Sequence, residues 1–151
     1  MHTTITVGQV LNRKGHDLWS IAPGATAYHA LESMADKNVG ALLVMENEKL
    51  VGMFSERDYA RKVVLRGKTS RETAVAELMT QLVFYVTPEQ TVEECLALMT
   101  DRHVRHLPVL AGTRIVGIVT IGDVGKAIIS EQRTTIRHLE TYICGSGAFA
   151  S

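Results

Sequence analysis

An α+β fold made of two copies of one β-α-β-β-α unit is what this sequence predicts, and three observations predict it. The chain repeats itself: Pro23 to Asp58 aligns without a gap on Pro88 to Asp123, with eleven of 36 positions identical. Within each copy the apolar residues alternate between helical and strand spacing in the same order. At 151 residues the chain is one domain, or two very small ones, with enough length to bury a core. Fixed-period similarity is the feature to find first, because it makes the fold a question about one unit.

The unit is justified element by element. "SIAPGAT" and "YVTPEQT" read as short extended pieces ended by Pro23 and Pro88, because proline cannot continue a ladder. Thr26 and Thr91 stand as helix N-caps, the second with Glu94 at capping-box spacing. The helices that follow put Ala27, Ala30, Leu31 and Met34 on one face, matched by Val92, Cys95, Leu96 and Met99. "ALLVM" and "HLPVL" are short buried strands, "ENEK" and "AGTR" hairpin turns, and "LVGMFS" and "IVGIVT" the returning strands. A second helix begins at the hydroxyl in "SERDYARKVVL" and "TIGDVGKAII".

"VAELM" repeats "VGQVL" at an offset of 68 rather than 65, so each copy also has a short leading helix. The copies then occupy residues 7–65 and 75–130, joined by a polar linker over 66–74 and followed by a C-terminal helix over 131–145. That last helix carries an apolar stripe of Ile136, Leu139 and Ile143, and the final residues "GSGAFAS" read as frayed. Two such units could bury their faces on each other with pseudo-two-fold symmetry.

Composition narrows the function. Sixteen basic and sixteen acidic side chains cancel, which removes any general attraction to nucleic acid or anionic membrane. Aromatic residues make up only 5%, too few for a base-stacking surface. No apolar run approaches the roughly 18 residues of a membrane span. The segment "MHTTITVGQVL" lacks the pattern of a secretory leader, and the two cysteines, Cys95 and Cys144, form no metal or redox motif; the cytoplasm is the expected compartment. His103 and His106 lie three apart with no third ligand, so no metal is expected. Neither a nucleophile–base pair nor an HExxH motif is present, and the chain is expected to bind rather than catalyse.

Ser55-x-x-Asp58 and Thr120-x-x-Asp123 open the second helices. This spacing has two readings. It is a near-capping box, worth about 1 kcal/mol. It is also the chemistry of a nucleotide site, in which free N–H groups at a helix start meet an anion and a carboxylate accepts from a vicinal diol. Gly52 and Gly117 would then let a ring approach the strand backbone. No GxxxxGK[ST] or GxGxxG occurs, which excludes a P-loop or a dinucleotide fold.

The paired unit, "GALLVM" and "RHLPVL" before the turns, and the G-h-h-[ST]-x-x-D pattern after them resemble tandem cystathionine β-synthase (CBS) domains over about Val7 to Ile129. The resemblance implies a stand-alone regulatory module that senses adenosine compounds such as AMP, ADP, ATP, NAD(H) or S-adenosylmethionine in two clefts between the copies. It assigns ribose to Asp58 with Ser55 and to Asp123 with Thr120, and the flanks of the adenine to Met53 and Ile118. Val39, Gly40 and Ala41 with Lys14, Gly15 and His16 would close the Asp123 cleft. Val104, Arg105 and His106 with Thr80 and Leu82 would close the Asp58 cleft. Arg57 and Arg61 add charge beside Asp58, where the second copy has Gly122 and Lys126, so the Asp58 cleft is expected to favour the more phosphorylated ligand or a dinucleotide. The resemblance also implies a homodimer. A ligand-free structural dimerisation module, with [ST]-x-x-D serving only as a cap, is the alternative.

Overall fold

The computed structural model describes the backbone from Thr4 to Cys144 and the side chains as far as Arg133. The elements in chain order are α1 (Val7–Lys14), β1 (Ser20–Ile21), α2 (Ala27–Lys37), β2 (Ala41–Glu46), β3 (Lys49–Ser55), α3 (Glu56–Tyr59), a π-helical turn (Ala60–Val64), α4 (Val75–Leu78), α5 (Val92–Arg102), β4 (His106–Ala111), β5 (Arg114–Thr120) and α6 (Ile121–Cys144). They form two compact units. One is contiguous, Asp17–Tyr85; the other is split, joining the chain up to His16 with the chain from Val86 onward.

In the contiguous unit β1 runs parallel to β2 and β2 antiparallel to β3. The β2–β3 turn is two residues, Asn47 (φ 51°) and Glu48 (φ 65°), both in the left-handed region that tight hairpins require. Thr26 caps α2 by accepting from the His29 N–H at 3.1 Å. Ala27, Ala30 and Met34 then face the sheet, where they join Leu42, Val44 and Phe54 in the core, while Leu31 is only half-buried.

The split unit repeats this arrangement with α5 over β4 and β5. Thr91 accepts from the Glu94 N–H at 3.0 Å. Its first strand shrinks to one residue, Val86, bridged to Val109. The reason is chemical. In the first copy the Leu43 N–H donates to the Trp19 carbonyl at 3.0 Å. Pro108 stands in Leu43's place in the repeat and has no N–H to donate.

The leading helices are exchanged between the repeats, so α1 lies in the split unit and α4 in the contiguous one. The same three hydrogen bonds join each to its host. Val7 and Gly8 donate to the carbonyls of Gln90 and Pro88, and Val92 donates to Ile5. Val75 and Ala76 donate to Ala25 and Pro23, and Ala27 donates to Thr73. These donors are the first-turn N–H groups that a helix cannot satisfy internally. The joining segment before α4 is correspondingly pinned: the Ser70 carbonyl accepts from the Tyr28 N–H at 2.9 Å, and the Ser70 hydroxyl meets the Tyr59 hydroxyl at 2.7 Å.

The helices after β3 and β5 differ. The first ends in the π turn and a left-handed Gly67 (φ 67°). The second, expected to stop near Ser130 before a separate C-terminal helix, runs unbroken from Ile121 to Cys144, with no Gly or Pro after Gly125 to interrupt it. The stripe of Ile136, Leu139 and Ile143 lies outside the residues whose side chains are described, and "GSGAFAS" lies outside the described residues.

Candidate functional site

Both [ST]-x-x-D segments sit where a strand ends and a helix begins. Ser55 is extended (φ −119°, ψ 165°) and its Oγ accepts from the Asp58 N–H at 3.2 Å. Asp58 Oδ2 in return accepts from the Ser55 N–H and hydroxyl, each at 3.0 Å, which completes a capping box. Thr120 and Asp123 repeat the core of this: Thr120 Oγ1 accepts from the Asp123 N–H at 3.1 Å, and Asp123 Oδ2 accepts from the Thr120 N–H at 2.9 Å. The first helical N–H of each donates inside its own unit, Glu56 to the Gly40 carbonyl at 3.0 Å and Ile121 to the Arg105 carbonyl at 2.9 Å.

Each aspartate also meets a lysine, from a different place in the repeat. Lys14 Nζ, at the end of α1, donates to Asp123 Oδ2 at 2.6 Å and to the Ile118 carbonyl at 2.9 Å. Lys62 Nζ, in the π turn, lies 3.2 Å from Asp58 Oδ1 and donates to the Leu78 carbonyl at 2.9 Å. Thr80 adds a hydroxyl to Asp58 Oδ1 at 3.1 Å, and its backbone pairs with Met53 through two bonds of 2.8 and 3.0 Å. His16 Nδ1 donates to the Val116 carbonyl at 2.8 Å. Lys62 was absent from the sequence-based site. Its signal was there, a cation four residues after Asp58 on one helix face.

The electrostatics follow. Burial alone would raise the Asp123 carboxyl, but the hydrogen bonds from Lys14 and the Thr120 N–H, with the lysine charge, outweigh it and hold the group below the usual carboxylate range. His106 is paired in register with Thr120. Burial lowers its pKa first, and the Lys14 and Arg105 charges lower it further against the opposing pull of Asp123.

The structure thus gathers Lys14, His16, Arg105, His106, Ile118, Thr120 and Asp123 in the split unit, and Met53, Ser55, Asp58 and Thr80 in the contiguous one. Gly40 and Ala41 lie against Glu56 and Ser55 in the contiguous unit. Val39 and Val104 are helix-to-strand connectors whose N–H groups bond back to Met34 and Met99. Gly15, in the left-handed region at φ 102°, terminates α1, Arg57 is exposed on the first turn of α3, and Leu82 is 73% exposed. The two strand glycines admit neighbouring parts of their own units. A Cβ on Gly117 would stand 2.7 Å from a Leu11 methyl, and one on Gly52 would stand 2.8 Å from Met79 Sδ and 2.9 Å from the Thr80 carbonyl. The close approach is by the leading helix and the chain that follows it. Among the described residues no group of His, Cys, Asp and Glu could hold a metal ion.

Comparison with known proteins bears on the family and the fold. The CBS domain family model matches residues 7–65 and again 75–130. The mitochondrial CBS domain-containing protein CBSX3 of Arabidopsis thaliana is 39% identical over 150 residues, covering 93% of this chain and 72% of its own. A solved protein with CBS domains from Burkholderia ambifaria MC40-6 is 45% identical, with a TM-score of 0.82 over 84% of this chain and 96% of that one. The CBS domain pair of protein MJ0100, solved with 5′-methylthioadenosine and S-adenosyl-L-methionine, shares the fold at 21% identity, with a TM-score of 0.75 over 85% of this chain and 99% of that one.

Proposed function

The chain belongs to the CBS-domain family, and from that premise we propose that it is a regulatory module that binds AMP, ATP or NAD(H) and performs no chemistry on them. One observation carries the reading: each repeat holds a carboxylate at the start of a helix, fixed by the N–H of a Ser or Thr and neutralised by a lysine. A carboxylate held this way can accept from ribose hydroxyls, and the ammonium beside it suits a phosphate. The adenosine compounds bound by the MJ0100 pair support the ligand class.

Ser55 with Asp58 and Thr120 with Asp123 take the ribose. Met53 and Ile118 flank the base, while Lys14, Gly15, His16, Leu82 and the methyl group of Thr80, with Val39 to Ala41 and Val104 to His106, complete the contacts. Arg57 favours the more phosphorylated ligand on the Asp58 side. Self-association as a homodimer and a cytoplasmic location belong to the same proposal.

A thermal-shift panel of AMP, ATP, NAD(H), S-adenosylmethionine and GTP tests it. At a hundredfold excess over Kd a true ligand stabilises by about 2.7 kcal/mol. Asp58→Ala and Asp123→Ala should each weaken binding at their own site about 10- to 100-fold. The complete capping box at Ser55 and Asp58 favours the second reading, a ligand-free dimerisation module. A flat panel with an intact dimer by light scattering would establish it.

A further inference from the structure

We infer that the two ribose carboxylates are not equally ready: Asp123 is open and fills first, whereas Asp58 is latched by Thr80 and Lys62. The inference rests on the adenosine-binding reading and adds an order of occupancy to it. An ionised carboxylate has about four acceptor positions, two on each oxygen. At Asp58 three are taken by hydrogen bonds and a lysine charge faces the remaining one. Oδ2 accepts from the Ser55 N–H and hydroxyl, and Oδ1 accepts from the Thr80 hydroxyl at 3.1 Å and faces the Lys62 ammonium at 3.2 Å. A diol that needs two acceptors must displace at least one of these donors and move the ammonium aside.

At Asp123 the donors converge on one oxygen. The Lys14 ammonium and the Thr120 N–H both bond to Oδ2, and among the described residues no hydrogen bond is made to Oδ1. A diol can use Oδ1 with the pair to Lys14 still in place. The two carboxylates are similarly sheltered, with side-chain exposures of 14% for Asp58 and 18% for Asp123, so access does not offset this difference.

The repeat explains why the sites differ. Leu82 is the counterpart of Lys14, and Ala127 is the counterpart of Lys62. The second copy has no residue at the Lys62 position able to latch its aspartate, and the first has its lysine where it shares Oδ1 with Thr80. Met79 and Thr80 are held against β3 at Gly52 and Met53, which keeps the Thr80 hydroxyl aimed at Asp58.

Calorimetric titration of the full chain decides the matter. With AMP, Asp123→Asn should abolish the tighter binding event and Asp58→Asn should leave it. The double variant Thr80→Val/Lys62→Met should strengthen the weaker event about tenfold when titrated with adenosine, which has no phosphate to miss the lysine. Thr80→Val alone, which keeps every charge, should move the same event in the same direction. Loss of the tighter event in Asp58→Asn, or an unchanged weaker event in both Thr80 variants, overturns the order of occupancy while leaving the binding function standing. No heat with either ligand, at any concentration up to solubility, overturns both.

Discussion

Lys14 and Asp123 are 109 positions apart in the chain and meet with Nζ 2.6 Å from Oδ2. The pair is partly sheltered, with side chains 34% and 18% exposed, and the lysine is also anchored to the Ile118 carbonyl. It ties the end of α1 to the start of α6 inside the split unit. Lys14→Met keeps the aliphatic stem and removes the charge. The expected cost is about 1 kcal/mol in urea denaturation, at the upper end for an ion pair that is not fully exposed. Part of that difference should persist in 1 M salt, because the pair is closer than the screening length of about 3 Å and is partly sheltered. An unchanged denaturation midpoint at low salt would remove the pair from the account of stability.

Gly117 and Gly52 should tolerate no side chain. The methyl of Gly117→Ala would press on Leu11, which is 1% exposed, and that of Gly52→Ala would press on Met79 and the Thr80 carbonyl. Overpacking of this kind costs about 1–3 kcal/mol. Gly117→Ala combined with Leu11→Ala should recover part of the loss, because the cavity and the methyl offset each other. Melting temperatures of the single and double variants measure this. Strict additivity would mean that Leu11 is not what the methyl meets.

His106 makes stability fall in mild acid. Burial and the charges of Lys14 and Arg105 lower its pKa below the ordinary 6.5, with Asp123 pulling the other way. The unfolded chain therefore binds the His106 proton at a higher pH than the folded one does. Its stabilising contribution is complete above 6.5 and is lost as the pH drops through the folded value. Unfolding free energies measured at intervals from pH 7.5 to 4.5 should decline, and His106→Gln should flatten the decline. An equal slope in the variant would assign the effect to other groups.

Cys95 should be silent toward thiol reagents. It is fully buried in α5, and burial, with a smaller push from Asp123, raises its thiol to about 11. Because only the thiolate attacks, labelling by a neutral disulfide reagent at pH 8 should proceed at the rate of opening. Prompt labelling in the native protein, lost in Cys95→Ala, would contradict the packing of α5.

The repeat was readable because it is written in identities such as Pro23/Pro88 and Asp58/Asp123, and with it came the strands, the hairpins and both hydroxyl–aspartate caps. The placement of Thr80 beside Asp58 and of Lys14 beside Asp123 followed from family resemblance, not from spacing. What the sequence could not show depends on three-dimensional partners. Gly52 and Gly117 are the same letters whether a ligand or Leu11 approaches them. Pro108 in β4 announces a missing N–H, but only the neighbouring strand shows that the loss shortens the pairing to Val86 alone. The latch on Asp58 draws on a π turn that no local pattern in "ARKVV" marks.

The exchange of leading helices also sets the order in which the molecule can be finished as it is made. Among the described residues every hydrogen-bonded partner of α4 lies within Asp17–Tyr85, so that unit has its leading helix in place once Tyr85 has left the ribosome. Helix α1 is made before that unit and completes its contacts after it: Val7 and Gly8 bond to Gln90 and Pro88, and Leu11 must wait until Gly117 arrives. At about 5–20 residues per second that interval is roughly 5–20 s. Nascent chains arrested with Tyr85 exposed should resist protease over Asp17–Tyr85 and be cut within α1; protection of α1 at that stage would contradict the order. Helix α1, made before the contiguous unit, is thus protected after it.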